Sequence, residues 1–210
     1  MSKIRSINNI IIFTSHLLKM NTYLIIDKKD CVCIDPGMNS KNVIKYLEDN
    51  QLNLIGIVLT HAHFDHIGKA FNMAKEHNLL VYAHADELSV LSNKWNAFML
   101  GVQNKIQLNL VKAFNEDKLL FGNIELGIIK TPGHTPGGVC YTYKDNVFVG
   151  DTLFVDSIGR TDLPGGDMQT LMQSLALLKQ TINPQYRIFP GHGENDLFVN
   201  ILKINPYLQK

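Results

Sequence analysis

The chain has 210 residues, of which 45% are apolar and 19% charged, and its 20 basic and 19 acidic residues give a net charge of +1. This length predicts a single domain spanning residues 1–210, and the apolar content excludes disorder as the main state. The charge balance disfavours a nucleic-acid partner, because proteins that bind nucleic acids usually carry a basic face. The apolar run at residues 10–13 is far too short for a membrane span or a signal-peptide core, so we expect a cytoplasmic protein with no membrane partner.

Three cysteines agree with a reducing compartment. Cys31 and Cys33 are two residues apart in an apolar stretch, so on a strand they point the same way and cannot easily bridge each other. Cys140 would then be left without a partner. We therefore expect no disulfide framework, and we interpret Cys31 and Cys33 as small core residues rather than metal ligands.

In chain order, strand-like and helix-like stretches alternate. Strand patterns fall at residues 20–27, 31–35, 54–59, 80–83, 124–130, 138–143, 146–150 and 186–189. Helical spacing occurs at residues 43–47, 67–74, 86–106, 168–178 and 195–204. Asn39 or Ser40 is expected to cap the first of these helices, and Asp167 the fourth. Strands followed by helices that alternate with buried strands predict two packed sheets with helices outside.

Histidines concentrate directly after one of the buried strands. Residues 61–66 read His-Ala-His-Phe-Asp-His and precede a helical pattern. Strand ends of this kind are where ligands bind in α/β sheets. In an extended loop, side chains alternate, so His61, His63 and Asp65 should project to one side and His66 to the other. Imidazole and carboxylate are ligands for zinc, iron or manganese, which predicts a metal site here.

Three further ligand-type residues, His134, Asp151 and His192, each follow a strand-like run and adjoin a glycine. Taken singly, each could be an ordinary solvated loop residue, but four such strand ends in one chain favour a shared site. The set of seven ligand-type residues exceeds the four that a tetrahedral zinc needs. This count suggests two metals with one bridging carboxylate, an arrangement that activates a shared water for hydrolysis.

The segment at residues 60–68, Thr-His-Ala-His-Phe-Asp-His-Ile-Gly, together with the three later residues in order, resembles the metallo-β-lactamase superfamily. The likeness runs from about residue 21 to residue 193. It implies an α/β fold, an αββα four-layer sandwich with the metals at one edge.

The resemblance also assigns roles. It implies that the first metal is held by His61, His63 and His134. It implies that the second metal is held by Asp65, His66 and His192, and that Asp151 bridges the two. Asp35 would support the metal loop without binding metal. The Asp-His pair at 65–66 differs from the Asp-Arg or Asp-Cys versions of some true β-lactamases, so we do not expect a β-lactam substrate.

Within that superfamily, the chain is most similar to glyoxalase II-like proteins, the hydroxyacylglutathione hydrolases, in their short bacterial form. Residues 131–137, 150–154 and 157–162 carry this likeness. Because 18 residues follow His192, we expect a short form without the C-terminal helical domain of the full-length family. Arg160 and Asp162 stand where that family has a glutathione-contacting lysine and tyrosine. Arg160 keeps a cation suited to a carboxylate, whereas Asp162 does not replace a tyrosine.

The resemblance implies a thioesterase that uses two divalent metal ions, zinc foremost with iron or manganese as alternatives. Metal-bound hydroxide would attack a small-molecule thioester such as S-lactoylglutathione, and Asp65 and Asp151 would take part in catalysis.

Three other readings stay open at this point. A mononuclear-iron persulfide dioxygenase shares the Gly-Arg-Thr-Asp stretch at 159–162. A non-catalytic ligand-binding module would have the same fold, although all seven ligand positions are filled here. An RNA-processing nuclease is disfavoured by the charge balance. An apolar cluster of Trp95, Phe98 and Met99 could wall the cleft, mediate self-association or pack in the core, and the sequence leaves the oligomeric state open.

Overall fold

The computed structural model describes residues 3–100 and 106–209, and the side chains of Trp95, Ala97 and Leu100 lie outside the described part. The strands of a seven-stranded sheet are β1 (Lys3–Ile7), β2 (Ile10–Thr14), β3 (Asn21–Asp27), β4 (Asp30–Ile34), β5 (Asn53–Val58), β6 (Val81–His84) and β7 (Val111–Phe114), in that spatial order. A second sheet consists of β8 (Lys118–Phe121), β9 (Ile124–Lys130), β10 (Val139–Tyr143), β11 (Asn146–Gly150), β12 (Arg187–Pro190) and β13 (Asp196–Leu197), in the reverse spatial order.

The helices connect and cover these strands. They are α1 (Ser40–Asp49), α2 (Phe64–Ile67), α3 (Ala70–Glu76), α4 (Leu88–Leu91), α5 (Lys94–Leu100), α6 (Met168–Thr181) and α7 (Phe198–Ile204). Strands β4 to β7 are parallel neighbours, and so are β11 and β12, with helical crossovers between them. Parallel pairing needs such crossovers, which place helices on the outer faces of the sheets.

The two sheets pack on each other through a shared apolar core. In β2, Ile10 and Ile12 belong to this inner core, whereas Ile11 and Phe13 pack on the helical side. This alternation is the period-2 pattern of a strand whose two faces are both covered. Aromatic side chains from both sheets interlock at the centre, with the Tyr23 ring 5.1 Å from Phe148.

Helices form the two outer layers. Buried Val43 and Leu47 of α1 belong to the core on the outer face of the first sheet, and Leu175 and Leu178 of α6 to that of the second. Each fully buried leucine contributes about 1.5–3 kcal/mol by leaving water. The αββα order that the sequence predicted is confirmed.

Several local expectations need correction. The Asn39 side chain does not cap α1 but donates to the carbonyls of Phe13 and Met20. The helix expected at 67–74 is interrupted at Gly68, which has a positive φ of 28°. Met168 on the expected apolar stripe of α6 is 47% exposed, and it occupies the first position of the helix.

Cys31 and Cys33 lie in the core, as the sequence predicts. All three cysteines are buried and unpaired, and burial raises the pKa of both Cys31 and Cys140 to about 12. Within the described residues, no helix combines the length and apolarity that crossing a bilayer requires.

Candidate metal centre

The strand ends that carry the predicted ligands meet at one edge of the sandwich. Strands β9, β11 and β12 run in the same direction, since β9 and β11 are both antiparallel to β10 and β12 is parallel to β11. Their carboxyl ends therefore lie on the same edge. The loop after β5 reaches this edge from the other sheet. The structure brings together all seven side chains that the sequence singled out, His61, His63, Asp65, His66, His134, Asp151 and His192.

The first group of ligand-type atoms joins His61, His63 and His134. These ring nitrogens lie within 4.8 Å of one another, and all three residues are buried. Nδ1 of His63 is 2.9 Å from Nε2 of His134. Three imidazole nitrogens converging on one point form the donor set that zinc takes in many sites.

The second group joins Asp65, His66 and His192. Nε2 of His192 lies 3.2 Å from Nε2 of His66 and 3.2 Å from Oδ2 of Asp65. The simple alternation argument is wrong here, because it placed Asp65 with His61 and His63. Helix α2 begins at Phe64, and this turn directs Asp65 and His66 together towards His192.

Asp151 lies between the two groups. Its Oδ2 is 3.6 Å from Nε2 of His134 in the first group and 3.3 Å from Nε2 of His192 in the second. Its Oδ1 is 3.4 Å from Nε2 of His66. This one carboxylate therefore faces both groups, as a bridging ligand must.

Two buried atoms of the centre, Nε2 of His61 and Oδ1 of Asp151, have no hydrogen-bond partner among the residues that the structure describes. An unsatisfied buried polar atom costs about 1–3 kcal/mol, and more when the group is charged. Cations placed in the two groups would satisfy both atoms. The imidazole and carboxylate donor set therefore fits two divalent metal ions of the zinc, iron or manganese type.

Burial and neighbouring charges shift the pKa of His61 and His63 in the first group and that of His192 in the second in opposite directions. Burial, followed by the effect of nearby histidines, lowers the pKa of His61 and brings that of His63 to about 3. These rings are therefore neutral, as metal ligands must be. Burial also opposes the charging of His192, but hydrogen bonds with Asp151 and Asp65 outweigh it and raise its pKa to about 10. In the absence of metal, the proton on His192 therefore offsets the negative charge of Asp65 and Asp151, which bound metal would otherwise neutralise.

Hydrogen bonds orient the imidazoles of His61, His66, His134 and His192. Nδ1 of His66 pairs with Oδ2 of Asp35 at 2.9 Å, that of His134 with the Arg160 carbonyl at 2.7 Å, and that of His192 with the Leu18 carbonyl at 2.8 Å. Nδ1 of His61 lies 3.0 Å from the Thr60 hydroxyl. Each contact leaves Nε2 directed at the centre, and such outer partners are known to fix ring orientation in metal sites.

Asp35 contacts the segment that directly precedes His61, and its role in supporting the metal loop stays a prediction. Its Oδ1 accepts from the Thr60 backbone N–H at 2.8 Å, and its Oδ2 accepts from the Thr60 hydroxyl at 2.6 Å. These contacts occupy both carboxylate oxygens just before His61. Asp35, His61 and His66 could also group around a metal, but the carboxylate is already used in holding the loop.

Glu87 belongs to this support and was not identified from the sequence. It is 1% exposed, and it accepts from the Ala62 N–H at 2.6 Å and from the Gly137 N–H at 2.8 Å. Ala62 lies between His61 and His63, and Gly137 follows in the His134 loop. The sequence holds no signal for this role, because the partners are backbone groups that any residue supplies.

A close backbone approach at Gly191 completes the centre. A Cβ atom at this position would lie 2.1 Å from Oδ1 of Asp151 and 2.7 Å from Cε1 of His66. Any side chain here would displace the carboxylate between the two groups. Only glycine leaves enough room at this position, which explains why a glycine directly precedes His192 in the sequence.

An open cleft of about 490 Å³ leads to the centre. Arg160 lines its wall but is 62% exposed and pairs with Asp162, with two contacts of 2.6 Å between guanidinium and carboxylate. The structure thus places Arg160 at the rim of the cleft and shows it bound to a neighbouring carboxylate. Exposed Met99, from the predicted apolar cluster, also lines the cleft.

Comparison with known proteins identifies the family. A family model described as the metallo-β-lactamase superfamily matches residues 18–192. YqgX of Bacillus subtilis, a probable metallo-hydrolase, is 33% identical over 203 residues, which cover 91% of this chain and 93% of that protein. Hydroxyacylglutathione hydrolase GloC of Haemophilus influenzae is 31% identical over 188 residues, which cover 87% and 89% respectively.

Solved structures show the same architecture. The B3 metallo-β-lactamase BLEG-1 superposes with a TM-score of 0.86 at 31% identity and covers 96% of this chain and 100% of its own. TTHA1623, solved in a di-iron-bound form, has a TM-score of 0.82 at 33% identity, with coverage of 93% and 98%. The chain therefore belongs to the metallo-β-lactamase superfamily, as its motifs predict.

Proposed function

We propose that this protein is a dinuclear metal-dependent hydrolase that cleaves thioesters, with S-2-hydroxyacylglutathione such as S-lactoylglutathione as its substrate class. The observation that carries the proposal is Asp151, whose carboxylate faces both groups of ligand-type atoms at the inner end of an open cleft. In this proposal His61, His63 and His134 hold one ion. Asp65, His66 and His192 hold the other.

Bound divalent ions would supply water activation near neutral pH and polarisation of the thioester carbonyl. Hydrolysis joins the oxygen of water to the acyl carbon, breaks the carbon–sulfur bond and leaves the proton on the thiol. Among the described residues, no serine, cysteine or threonine lines the cleft. The site thus favours direct attack by water over a covalent acyl-enzyme.

The protein's own groups would position the reactants. Asp65 has its carboxylate at the centre and on the cleft wall, where it can orient water or accept its proton. Apolar Phe154, Ile158 and Leu163 line the cleft beside Arg160. We assign the carboxylate of the thiol carrier to Arg160, which would exchange its pairing with Asp162 for the substrate.

The likeness to GloC, named as a hydroxyacylglutathione hydrolase, supports the glutathione thioester. Zinc is the metal we propose, and iron is the alternative that the di-iron form of TTHA1623 supports. The likeness to BLEG-1 makes β-lactam hydrolysis a second candidate function. The buried, unpaired cysteines are consistent with the cytoplasmic location that we propose.

The test is metal stoichiometry measured beside a substrate panel. Protein stripped with a chelator is reconstituted with zinc or ferrous iron, and the panel contains S-lactoylglutathione, a cephalosporin and glutathione persulfide with an oxygen electrode. We expect close to two metal equivalents and release of free thiol from the thioester. D151A should impair both sites, whereas H134A should weaken mainly the first.

Saturation of the wild type at one metal equivalent would overturn the dinuclear proposal. Oxygen uptake with the persulfide in place of thioester cleavage would favour a dioxygenase instead. Turnover of the cephalosporin without thioester cleavage would favour the second candidate.

A further inference from the structure

A second groove of about 490 Å³ continues the cleft beyond the metal centre. Phe64, Asp65 and Met99 line both spaces, whereas Arg160 lines only the first. We call the second space the lysine groove. Its other lining residues are Leu17, Gly37, Met38, Ser40, Lys41, Gly68 and Lys69.

The walls of the lysine groove are apolar and reachable from solvent. Leu17 is 63% exposed, and Met38 and Met99 are about 40% exposed. The floor is formed by two glycines in contact, since a Cβ on Gly68 would lie 2.5 Å from the Gly37 carbonyl oxygen. Small residues at this point keep the groove open next to the centre.

Two lysines give the lysine groove a positive charge. Lys41 is exposed and Lys69 is half-buried. Within residues 3–100 and 106–209, neither ammonium has an ion pair or a side-chain hydrogen bond. Asp65, at the metal centre, is the one acidic residue of the described lining. An apolar groove whose lining includes two unpaired cations is complementary to an apolar chain with an anionic end.

We propose that the lysine groove binds the acyl half of the substrate, and that this half is an apolar chain ending in a carboxylate. The inference rests on the proposed thioesterase function, which assigns the thiol carrier to the Arg160 side. With the thioester carbonyl at the metal centre, the acyl group would extend from Asp65 towards Lys41 and Lys69. The three-carbon lactoyl group would fill only a small part of a space whose volume suits a drug-sized ligand.

The test compares acyl groups on one thiol. Metal-loaded enzyme is assayed with lactoyl-, hexanoyl- and adipoylglutathione, the last two of which differ chiefly in a terminal carboxylate. We expect kcat/KM for the adipoyl thioester to exceed that for the hexanoyl thioester by roughly tenfold, mainly through KM. K41A/K69A should bring this ratio close to one, and added salt should reduce it in the wild type.

The control is K45A/K75A, which removes the same charge at two positions outside the lysine groove, Lys45 in α1 and Lys75 in α3. This control should keep the wild-type ratio. Binding of free adipate and hexanoate, measured by calorimetry on the metal-loaded protein, gives a readout without turnover. We expect adipate to bind more tightly, and K41A/K69A to abolish that difference.

The outcomes separate this inference from the proposed function. If lactoylglutathione is cleaved but adipoyl and hexanoyl thioesters are treated alike, the inference is overturned while the thioesterase stands. An equal loss on all three substrates in K41A/K69A would show that the lysines bind the thiol carrier instead, which also overturns it. If no thioester is cleaved but adipate binding depends on the two lysines, the proposed function fails and the anion site remains.

Discussion

A single buried carboxylate, that of Glu87, joins the two loops that carry the first histidine group. Its two oxygens accept from the Ala62 and Gly137 N–H groups, one in each loop. Because no water reaches the side chain, each N–H depends on this carboxylate for its hydrogen bond. The positions of His63 and His134 are therefore coupled through Glu87 as well as through any shared metal.

Replacing Glu87 with leucine should leave both N–H groups unsatisfied. We expect the free energy of unfolding of the metal-free protein to fall by about 3 kcal/mol, since each buried orphan donor costs about 1–3 kcal/mol. Zinc affinity of the first group should fall roughly tenfold or more, as it does when outer partners of metal ligands are removed. Urea unfolding and zinc titration measure the two effects. The control is E48L, which changes an exposed glutamate of α1. Normal zinc affinity in a destabilised E87L would limit Glu87 to a structural role.

The same residue should give stability a pH dependence whose sign follows from its burial. Burial, which outweighs the hydrogen bonds, raises the pKa of Glu87 above its ordinary value of about 4.3. The folded state thus holds the proton more tightly than the unfolded chain, so rising pH favours unfolding through this group. In the urea series, the stability advantage of the wild type over E87L should be largest near pH 4 and shrink towards neutrality.

The sequence and the structure give Arg160 different partners. The family likeness assigns it to a substrate carboxylate, whereas the structure pairs it with Asp162. If it serves the substrate, R160A should raise KM for S-lactoylglutathione roughly tenfold through the loss of a charge-assisted contact. The value of kcat and the metal content should change little, because this contact stabilises ground and transition states alike.

D162N provides the discriminating control for Arg160. It removes the partner of the guanidinium and leaves the cation free for the substrate, so KM should stay the same or decrease. If D162N reproduced the defect of R160A, the ion pair itself would be what matters, and the substrate role of Arg160 would be refuted.

At the scale of elements, helix α6 supports the His134 loop. The Asp167 side chain accepts from the Thr170 N–H at 2.7 Å, which confirms the predicted cap. The Asp167 N–H donates to the Gly133 carbonyl at 2.8 Å, and Gly133 packs so closely on Leu171 that a Cβ atom would meet its backbone nitrogen at 2.3 Å. The start of this helix therefore fixes the residue just before a proposed metal ligand.

Removing this cap should lower the stability of α6 and of the loop it supports. We expect D167A to decrease the midpoint of thermal unfolding by about 2–4 °C, and D167N to retain most of the wild-type value, because asparagine caps helices equally well. Calorimetry of the three proteins measures this. Equal decreases in both variants would show that the carboxylate charge, rather than the capping hydrogen bond, is what stabilises the helix.

Elements with strong local patterns could be predicted, and those that depend on distant partners could not. The paired strands β3 and β4, the buried strand β5 and the capped helix α6 follow from periodicity and turn residues. Strands β1, β2, β7, β8 and β13 were not predicted, since such short stretches become strands through the neighbour that they join. The helix expected at 195–204 begins only at Phe198, because residues 196–197 pair with β12 instead. The break at Gly68 comes from its contact with Gly37, which is remote in sequence.

At the scale of the whole molecule, the sequence predicts which seven residues meet at the site. Spacing along the chain does not predict how they divide into two groups. Each ligand-type residue stands at a strand end beside distinctive neighbours, so the sequence reveals it. Which nitrogen meets which carboxylate depends on how two sheets align and on where α2 begins. The superfamily resemblance supplied the two groupings, His61 with His134 and Asp65 with His192, that strand alternation missed.

The candidate metal centre takes its ligand-type residues from both sheets, so bound metal should stabilise the entire sandwich. His61 follows β5 of the first sheet, whereas His134, Asp151 and His192 follow strands of the second. Ions that bind only the folded state add about 2.7 kcal/mol at a hundredfold excess over Kd. For a chain of this length, we therefore expect zinc to raise the thermal midpoint by about 5–10 °C, and a chelator to reverse the increase. D151A should lose most of the shift, and D145A, which changes an exposed turn carboxylate, should keep it. A midpoint that does not respond to saturating zinc would show that these seven side chains do not form a metal site.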